Sequence, residues 1–270
     1  MIYDVQRRFT GYDRYWTNDW YHRHPGIWHP AYVPPVRWWY RPSWYDTWAW
    51  YRPGFFAGFV LGAATTPYPY YPYHYGNNIV YRGNMVYVNG VPYVSASDYY
   101  AQALVLAQST PTVVVVEQPV VVERIVEQSV AEPIQLAEGP ILEAPMPDEA
   151  MEQKLAVLED DSDEWLPMGT FALLDDVAQE GSDKILQLAT NKSGQLRGNF
   201  VNESTGQAVQ IHGAVDPKSQ RVAFQFDGDD QTVLECGLWN LTQDSVPLLI
   251  HFDEDHTEQR TLIRLTQPEE

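Results

Sequence analysis

From Trp165 onward the sequence consists of short segments in which apolar and polar residues alternate, separated by turn residues at nearly regular intervals. Alternation with a period of two is typical of strands that bury one face. Eight such segments are present: 169–174, 184–191, 196–203, 208–215, 221–227, 232–241, 247–253 and 259–266. We therefore predict a mainly β protein whose C-terminal part is an eight-stranded antiparallel meander closed into a small barrel.

The alternation also predicts which side chains of this barrel point inward. A barrel of about eight strands can be filled by side chains or can hold one small ligand, and both alternatives stay open. The large phenylalanines in the inward set favour a filled interior. The predicted inward residues are Leu186, Leu188, Leu196, Gly198, Phe200, Val209, Ile211, Gly213, Val215, Val222, Phe224, Phe226, Leu234, Cys236, Leu238, Leu248, Ile250 and Phe252.

The residues before this region differ sharply in composition. All 18 Tyr and eight of the 10 Trp precede residue 101. Residues 1–110 carry 8 Arg, no Lys and 5 acidic residues, whereas residues 111–270 carry 9 basic and 31 acidic residues. The net charge of −19 opposes binding to nucleic acid, because cationic attraction to phosphate dominates such binding, and we predict no nucleic-acid partner.

Residues 1–75 form an irregular segment rich in aromatic residues, Arg and Pro. Arg side chains can stack on Trp and Tyr rings, so the segment is either a packed irregular module or a partly disordered one. Within it, Gly54, Gly58 and Gly62 lie four residues apart, which on a short helix over 54–65 forms a glycine zipper. We expect a short helix that is either buried or self-associates through these glycines, with membrane contact as the alternative.

Residues 76–109 predict a small ββα-type module. Asn89-Gly90 between β-rich runs is typical of a type I′ hairpin turn, and Gly83-Asn84 is a weaker turn signal, so three strands are expected. A helix capped by Ser97 or Asp98 should follow and run to about Gln108. Residues 110–163 are an acidic Val/Glu/Pro linker with a short helix, and the all-β domain spans 164–268.

The chain contains few candidates for a chemical site. The segment from His251 to His256 combines two imidazoles with three acidic residues, but a solvated hairpin explains it better than a metal site. Asp227-Gly-Asp-Asp lacks the later Glu of a calcium loop, and His22, His24 and His29 accompany no nucleic-acid signature. Cys236 is the only cysteine and belongs to the inward set. We predict no catalytic, cofactor-binding or metal-ligating residue, and no enzyme.

Six segments of the chain carry a resemblance to known proteins: Gly76-Asn-Asn-Ile-Val-Tyr, Asn89-Gly-Val-Pro-Tyr, Tyr99-Tyr-Ala-Gln-Ala, Glu164-Trp-Leu-Pro-Met-Gly-Thr-Phe-Ala-Leu, Leu186-Gln-Leu-Ala-Thr-Asn-Lys-Ser-Gly and Asn240-Leu-Thr-Gln-Asp. With these segments the chain resembles a group of uncharacterised planctomycete proteins that carry the label mu-protocadherin-like cell-surface protein. The similarity covers residues 20–108 and 164–268. It implies a surface or envelope setting and neither a catalytic nor an adhesion mechanism.

Composition and resemblance together predict a non-enzymatic structural or interaction protein of the bacterial cell envelope, with a cell-wall or membrane component as partner. The alternative is a binding module, either for a small apolar ligand in the barrel or for glycans on the aromatic N-terminal rings. The first residues from Met1 lack the apolar stretch of a secretory signal. An extracytoplasmic location therefore requires a start upstream of this Met.

Overall fold

The structure is a computed structural model that describes residues 14–30, 35–39, 41–43, 47, 72–109, 165–175, 182–216 and 219–266. The predicted glycine zipper and the predicted linker lie outside these residues. The described residues on either side of the linker belong to one compact unit. The strand and barrel predictions can therefore be compared with the structure directly.

The N-terminal part contains helix α1 (Asn18–Arg23), a 3-10 helix (Pro35–Trp39), strands β1 (Ile79–Arg82), β2 (Met85–Val88) and β3 (Val91–Ser95), and helix α2 (Ala96–Gln108). The three strands form an antiparallel meander. Asn89 and Gly90 have φ angles of 52° and 80°, as a type I′ turn requires, so the hairpin prediction is confirmed.

The predicted start of α2 is wrong by two residues or more, because Ser95 is the N-cap. The Ser95 hydroxyl accepts a hydrogen bond from the Asp98 amide at 3.0 Å and donates one to the Asp98 carboxylate at 2.6 Å. The Ser95 hydroxyl thus caps the first turn of α2, and the Asp98 carboxylate accepts the hydrogen of that hydroxyl.

The predicted eight-stranded barrel is confirmed. Its strands are β4 (Trp165–Leu174), β5 (Lys184–Asn191), β6 (Gln195–Asn202), β7 (Gln207–Val215), β8 (Arg221–Phe226), β9 (Val233–Gly237), β10 (Ser245–His251) and β11 (Thr257–Arg264). Each strand pairs with the next in sequence, and β11 pairs with β4 to close the barrel.

The interior is occupied by one cluster of buried apolar side chains, and most of the predicted inward residues belong to it. Phe224 belongs to this cluster and is fully buried, and the partly buried Phe200, Phe226 and Phe252 pack against the cluster. The buried members are Met168, Phe171, Leu173, Leu186, Leu188, Leu196, Ile211, Val215, Val222, Phe224, Leu234, Cys236, Leu238, Leu241, Val246, Leu248, Ile250 and Leu262.

The segment predicted as a strand over 232–241 is shorter in the structure, because a 3-10 helix (Asn240–Thr242) follows β9. The Asn240 side chain explains this change of direction. Its oxygen accepts a hydrogen bond from the Tyr73 amide at 2.8 Å, and its nitrogen donates to the Tyr73 carbonyl at 3.0 Å. The amide of Asn240 therefore takes the place of a neighbouring strand for the backbone of Tyr73.

Part of the outer wall of the barrel is covered by an aromatic layer, formed by Tyr15, Trp16, Trp20, Tyr21 and Trp38. The rings contact each other edge to face, as Trp16 and Trp20 do with centroids 4.8 Å apart. The layer packs on small and aliphatic side chains of the outer wall, namely Ala172, Leu174, Ile185, Ala189, Val201, Ile263 and Leu265. These aromatic residues are thus part of a folded core.

The opposite part of the outer wall is covered by the meander and α2. Ala103 and Ala107 of α2 pack against Ala223 and Val233 of the barrel. Because these side chains are small, the helix lies close to the strands. The meander contributes a separate apolar cluster around Ile79, Val86, Tyr99 and Leu249, with Tyr73 beside them.

We predict that the aromatic layer stabilises the barrel itself. Replacing the fully buried Trp16 by Ala should lower the free energy of unfolding by about 3–5 kcal/mol, the usual cost of removing a buried Trp. The measurement is urea unfolding followed by far-ultraviolet circular dichroism. The control is Trp39→Ala, which removes a half-buried ring at the edge of the layer and should cost less. Unchanged unfolding in both variants would contradict the prediction.

Candidate functional site

Three ionisable side chains lie side by side on the outer wall of the barrel: Arg221 on β8, Glu235 on β9 and His251 on β10. Glu235 stands opposite Ala223 on one neighbouring strand and opposite Leu249 on the other. Arg221 and His251 are two residues from those positions, which makes them diagonal neighbours of Glu235 on the same face. Strand register alone therefore brings the three together.

The carboxylate of Glu235 is completely buried and has four partners. The hydroxyls of Tyr75 and Tyr99 donate to Oε1 at 3.0 and 2.6 Å. Arg221 donates from Nη2 to Oε2 at 2.5 Å, and His251 Nε2 lies 3.2 Å from the same oxygen. Each carboxylate oxygen thus has two partners, and the segment before β1, α2 and the barrel meet at this one side chain.

The orientation of His251 follows from these contacts. An ionised carboxylate can only accept hydrogen bonds, so Nε2 of His251 carries the hydrogen that it donates to Glu235. The other ring nitrogen, Nδ1, lies 3.1 Å from the hydroxyl of Thr257. Both ring nitrogens of this fully buried histidine are therefore engaged.

Burial and charge act against each other in this cluster. Burial disfavours the ionised form of Glu235, but the Arg221 guanidinium and the hydrogen bond from His251 outweigh it and lower the pKa of Glu235 to about 2. Burial likewise opposes the charge of Arg221, and Glu235 raises the pKa of that guanidinium above its ordinary value. Burial raises the pKa of the Tyr75 and Tyr99 hydroxyls, which stay protonated as donors.

A pocket of about 520 Å³ opens beside this cluster, between α2, the meander and one rim of the barrel. We call it the α2 pocket. Its walls are mainly apolar, and its polar groups come from the barrel rim and α2. The lining residues are Tyr73, Ile79, Val88, Tyr93, Tyr99, Ala101, Gln102, Val105, Leu106, Ser109, Asp216, Ser219 and Arg221.

Arg221 connects the α2 pocket with the buried carboxylate. Its guanidinium lies over the Tyr99 ring, 3.8 Å from the centroid, and Nη2 also donates to the Tyr99 carbonyl at 3.0 Å. The Nε nitrogen is buried and has no hydrogen-bond partner among the described residues. The pocket thus has mainly apolar walls, and the largely buried guanidinium group of Arg221 contributes to its lining.

A second, smaller cleft of about 230 Å³ lies between the start of the aromatic layer and the barrel. Arg14 donates to Glu203 at 2.7 Å across it, and the Tyr15 hydroxyl donates to the same carboxylate oxygen at 2.9 Å. This ion pair is largely exposed, and such pairs contribute little to stability or binding. The α2 pocket is the better candidate, because it is larger and mainly apolar.

The candidate metal ligands from the sequence do not converge. His251 belongs to the buried cluster, whereas His256 is exposed and pairs with Glu258. The Asp229 carboxylate accepts hydrogen bonds from the amides of Gln231 and Thr232, which makes 229–232 a tight turn. In the part of the chain that the structure describes, no group of three or more His, Cys, Asp or Glu side chains could hold a metal ion.

The remaining candidates take part in packing. His24 stacks on Trp20 and His29 on Tyr21, so these histidines belong to the surroundings of the aromatic layer. Cys236 lies in the barrel interior, where burial raises the pKa of its thiol and keeps it protonated.

Sequence reasoning missed Arg221 and Glu235. Glu235 sits between the inward residues Leu234 and Cys236, so alternation assigned it to the outer face and, by default, to solvent. A usable signal was present: a single acidic residue within an apolar strand needs a cationic partner if the outer face is covered, and Arg221 begins the strand before it. Periodicity could not show that other parts of the chain cover the outer face of the barrel at Glu235.

We predict that ionised Glu235 stabilises the fold at neutral pH. Its pKa of about 2 lies below the ordinary value of 4.5, so the unfolded chain binds the proton more readily. The stabilisation is therefore present above about pH 4.5 and is lost as the pH falls toward 2, by roughly 2 kcal/mol between about pH 5 and pH 3. Urea unfolding at several pH values measures this loss.

The control is the double variant Glu235→Gln/Arg221→Met, which removes both charges and should lose about 2 kcal/mol less over the same interval. The single variant Glu235→Gln leaves Arg221 buried without its counter-ion and should be destabilised at pH 7 by about 3–5 kcal/mol. If the free energy of unfolding falls equally with pH in the wild type and in the double variant, the stabilisation assigned to ionised Glu235 is contradicted.

No helix within the described residues has the length and apolar character needed to cross a membrane. No protein-family model, no curated protein and no solved structure matches the chain. The resemblance to cell-surface proteins therefore stays a prediction, and the case for a function rests on the α2 pocket and the buried cluster beside it.

Proposed function

We propose that this protein is a non-enzymatic binding module and that its ligand is a small, mainly apolar molecule held in the α2 pocket. The observation that carries the proposal is a pocket of about 520 Å³ with mainly apolar walls and a few polar side chains from the barrel rim and α2. Binding sites for small molecules commonly have this size, and combine apolar walls with a few placed polar groups.

The location of the pocket differs from the two binding modes expected from the sequence. A ligand inside the barrel would compete with the buried cluster around Phe224. Glycan stacking requires accessible rings, and Trp16, Trp20 and Trp38 are buried in the aromatic layer. The α2 pocket needs neither space in the barrel nor those rings, which favours it as the site of binding.

The walls of the pocket are held by the fold, which favours binding without a large ordering cost. Tyr99 is fixed by Glu235, and α2 is packed on the barrel through Ala103 and Ala107. A preformed site loses little conformational entropy when a ligand enters. The role of the cluster around Glu235 is then to hold the pocket walls in place, without a chemical step of its own.

The broader expectation of a structural or interaction protein of the cell envelope includes this binding role. The location of the protein in the cell envelope stays a prediction that follows from the resemblance and the composition. The proposal for the α2 pocket does not depend on it.

The test uses Nile red, a neutral dye whose fluorescence rises in apolar surroundings. We expect saturable binding of one dye per chain. Gln102 lines the pocket on α2, so Gln102→Trp should fill part of it and weaken binding by about tenfold or more. Gln108 lies on the same helix outside the pocket lining, and Gln108→Trp should leave the affinity unchanged.

The comparison of these two variants decides the proposal. Both replace an exposed glutamine of α2 by tryptophan, so a general effect of the larger ring would appear in both. Equal dye binding by the wild type and both variants, or no saturable binding by the wild type, would overturn the assignment of the α2 pocket as the binding site.

A further inference from the structure

We propose that the α2 pocket binds elongated apolar molecules with a single extended hydrocarbon chain, in preference to compact ring compounds and to peptides. This inference rests on the proposed binding function and specifies the ligand class of the same site. It follows from the arrangement of the lining residues along α2, from the mean width of the pocket and from the hydrogen bonds of its polar groups.

The pocket extends along most of α2. The lining residues of this segment run from Tyr99, near the start of the helix, to Ser109 at its C-cap. Because a helix rises by about 1.5 Å per residue, they cover a length of about 15 Å. Their spacings of three and four residues place them along one side of the helix. The six are Tyr99, Ala101, Gln102, Val105, Leu106 and Ser109.

The opposite side of α2 is already covered, because Ala103 and Ala107 pack on the barrel. The helix therefore has two sides that carry apolar residues, and only one of them faces the pocket. Within the pocket lining, Ile79 is buried, whereas Tyr93 and Val105 are exposed. The pocket is thus a groove with a closed apolar floor and an open apolar rim.

The width of this groove limits what can lie in it. Spread over a length of about 15 Å, the volume of about 520 Å³ corresponds to a mean width of about 7 Å. An α-helix with its side chains is about 10–12 Å across, so a partner helix does not fit. Extended chains in a sheet lie about 5 Å apart, so one extended chain does fit. A large ring cannot stretch along the groove and leaves part of its surface in water.

The polar groups of the lining favour a hydrocarbon chain over an extended peptide. A peptide of this length has about four residues and brings about eight backbone donors and acceptors, which need partners when they are buried. Nearby polar groups are already engaged. The Ser109 hydroxyl donates to the Leu106 carbonyl at 2.7 Å. The Ser219 hydroxyl donates to Asp216, and the Tyr73 hydroxyl donates to the Ser219 carbonyl at 3.0 Å. A hydrocarbon chain needs no such partners.

The experiment measures displacement of Nile red from the full chain by two neutral alcohols: decan-1-ol, which has one extended chain, and cyclododecanol, which is a ring. Each displacing concentration is corrected for the partition of that alcohol between water and octanol, so that the fit to the site is compared. We expect the corrected concentration to be at least about tenfold lower for decan-1-ol, the effect of roughly two methylene groups that the ring leaves in water.

A second measurement shortens the groove at one end. In the wild type, displacement by alcohols from hexan-1-ol to decan-1-ol should improve about fourfold with each added methylene group. Ser109→Trp places a large ring at the C-terminal end of the groove, and the gain from octan-1-ol to decan-1-ol should fall from about sixteenfold to about fourfold or less. Gln108→Trp adds the same ring outside the pocket lining and should keep the full gain.

Circular dichroism checks that both variants are folded. If Ser109→Trp does not fold, the comparison of decan-1-ol with cyclododecanol on the wild type decides.

The outcomes separate this inference from the proposed function. Suppose that cyclododecanol displaces the dye at an equal or lower corrected concentration, or that folded Ser109→Trp keeps the full gain, while dye binding still responds to Gln102→Trp. The pocket then stands, and its preference for elongated chains is refuted. If dye binding does not respond to Gln102→Trp, the proposed function fails, and the ligand class fails with it.

Discussion

The pairing of β11 with β4 is the constraint on which the rest of the structure depends. It turns an eight-stranded meander into a closed wall with an inside and an outside, and it removes the two edges that an open sheet would expose. The inside is filled by apolar side chains around Phe224. The described residues of the aromatic layer, the meander and α2 accordingly pack on the outside of the barrel.

That outer wall is covered on two sides. The aromatic layer packs on one side, and the meander with α2 packs on the other. Covering a wall whose residues alternate has a cost, because side chains that would otherwise face water become buried. The buried side chain of Gln187 replaces its hydrogen bonds to water with hydrogen bonds to Tyr21 and Asn199. The buried carboxylate of Glu235 does so with hydrogen bonds from Arg221, His251 and two tyrosines.

The cluster around Glu235 illustrates why buried ion pairs are better evidence for specificity than for stability. Removing two charges from water costs free energy, and well-packed apolar residues in place of a buried ion pair often stabilise a protein equally well. What this cluster provides is a specific arrangement, because the partners of Glu235 come from the two neighbouring strands of the barrel, from α2 and from the segment before β1. A shift of α2 or of the segment before β1 would leave the carboxylate without some of its donors.

Much of the fold could be predicted from the sequence, because its signals are local. Alternation identified the eight strands, and Asn89-Gly90 identified the hairpin. The end of β9 could not be predicted, since it depends on a contact between Asn240 and Tyr73, which are 167 residues apart. The site at Arg221 and Glu235 escaped for the same reason: periodicity says which face a residue is on, but not what covers that face.

The aromatic layer has a consequence for the order in which the molecule is assembled. Trp38 precedes Trp165, the first residue of β4, by 127 residues. At about 5–20 residues per second, the ribosome releases these rings roughly 6–25 s before the first strand of their partner surface exists. During that time the most apolar side chains of the layer have nowhere to pack. Apolar surface that is exposed in this way during synthesis promotes association with other chains, so the late synthesis of the barrel extends the period in which the newly made chain can aggregate.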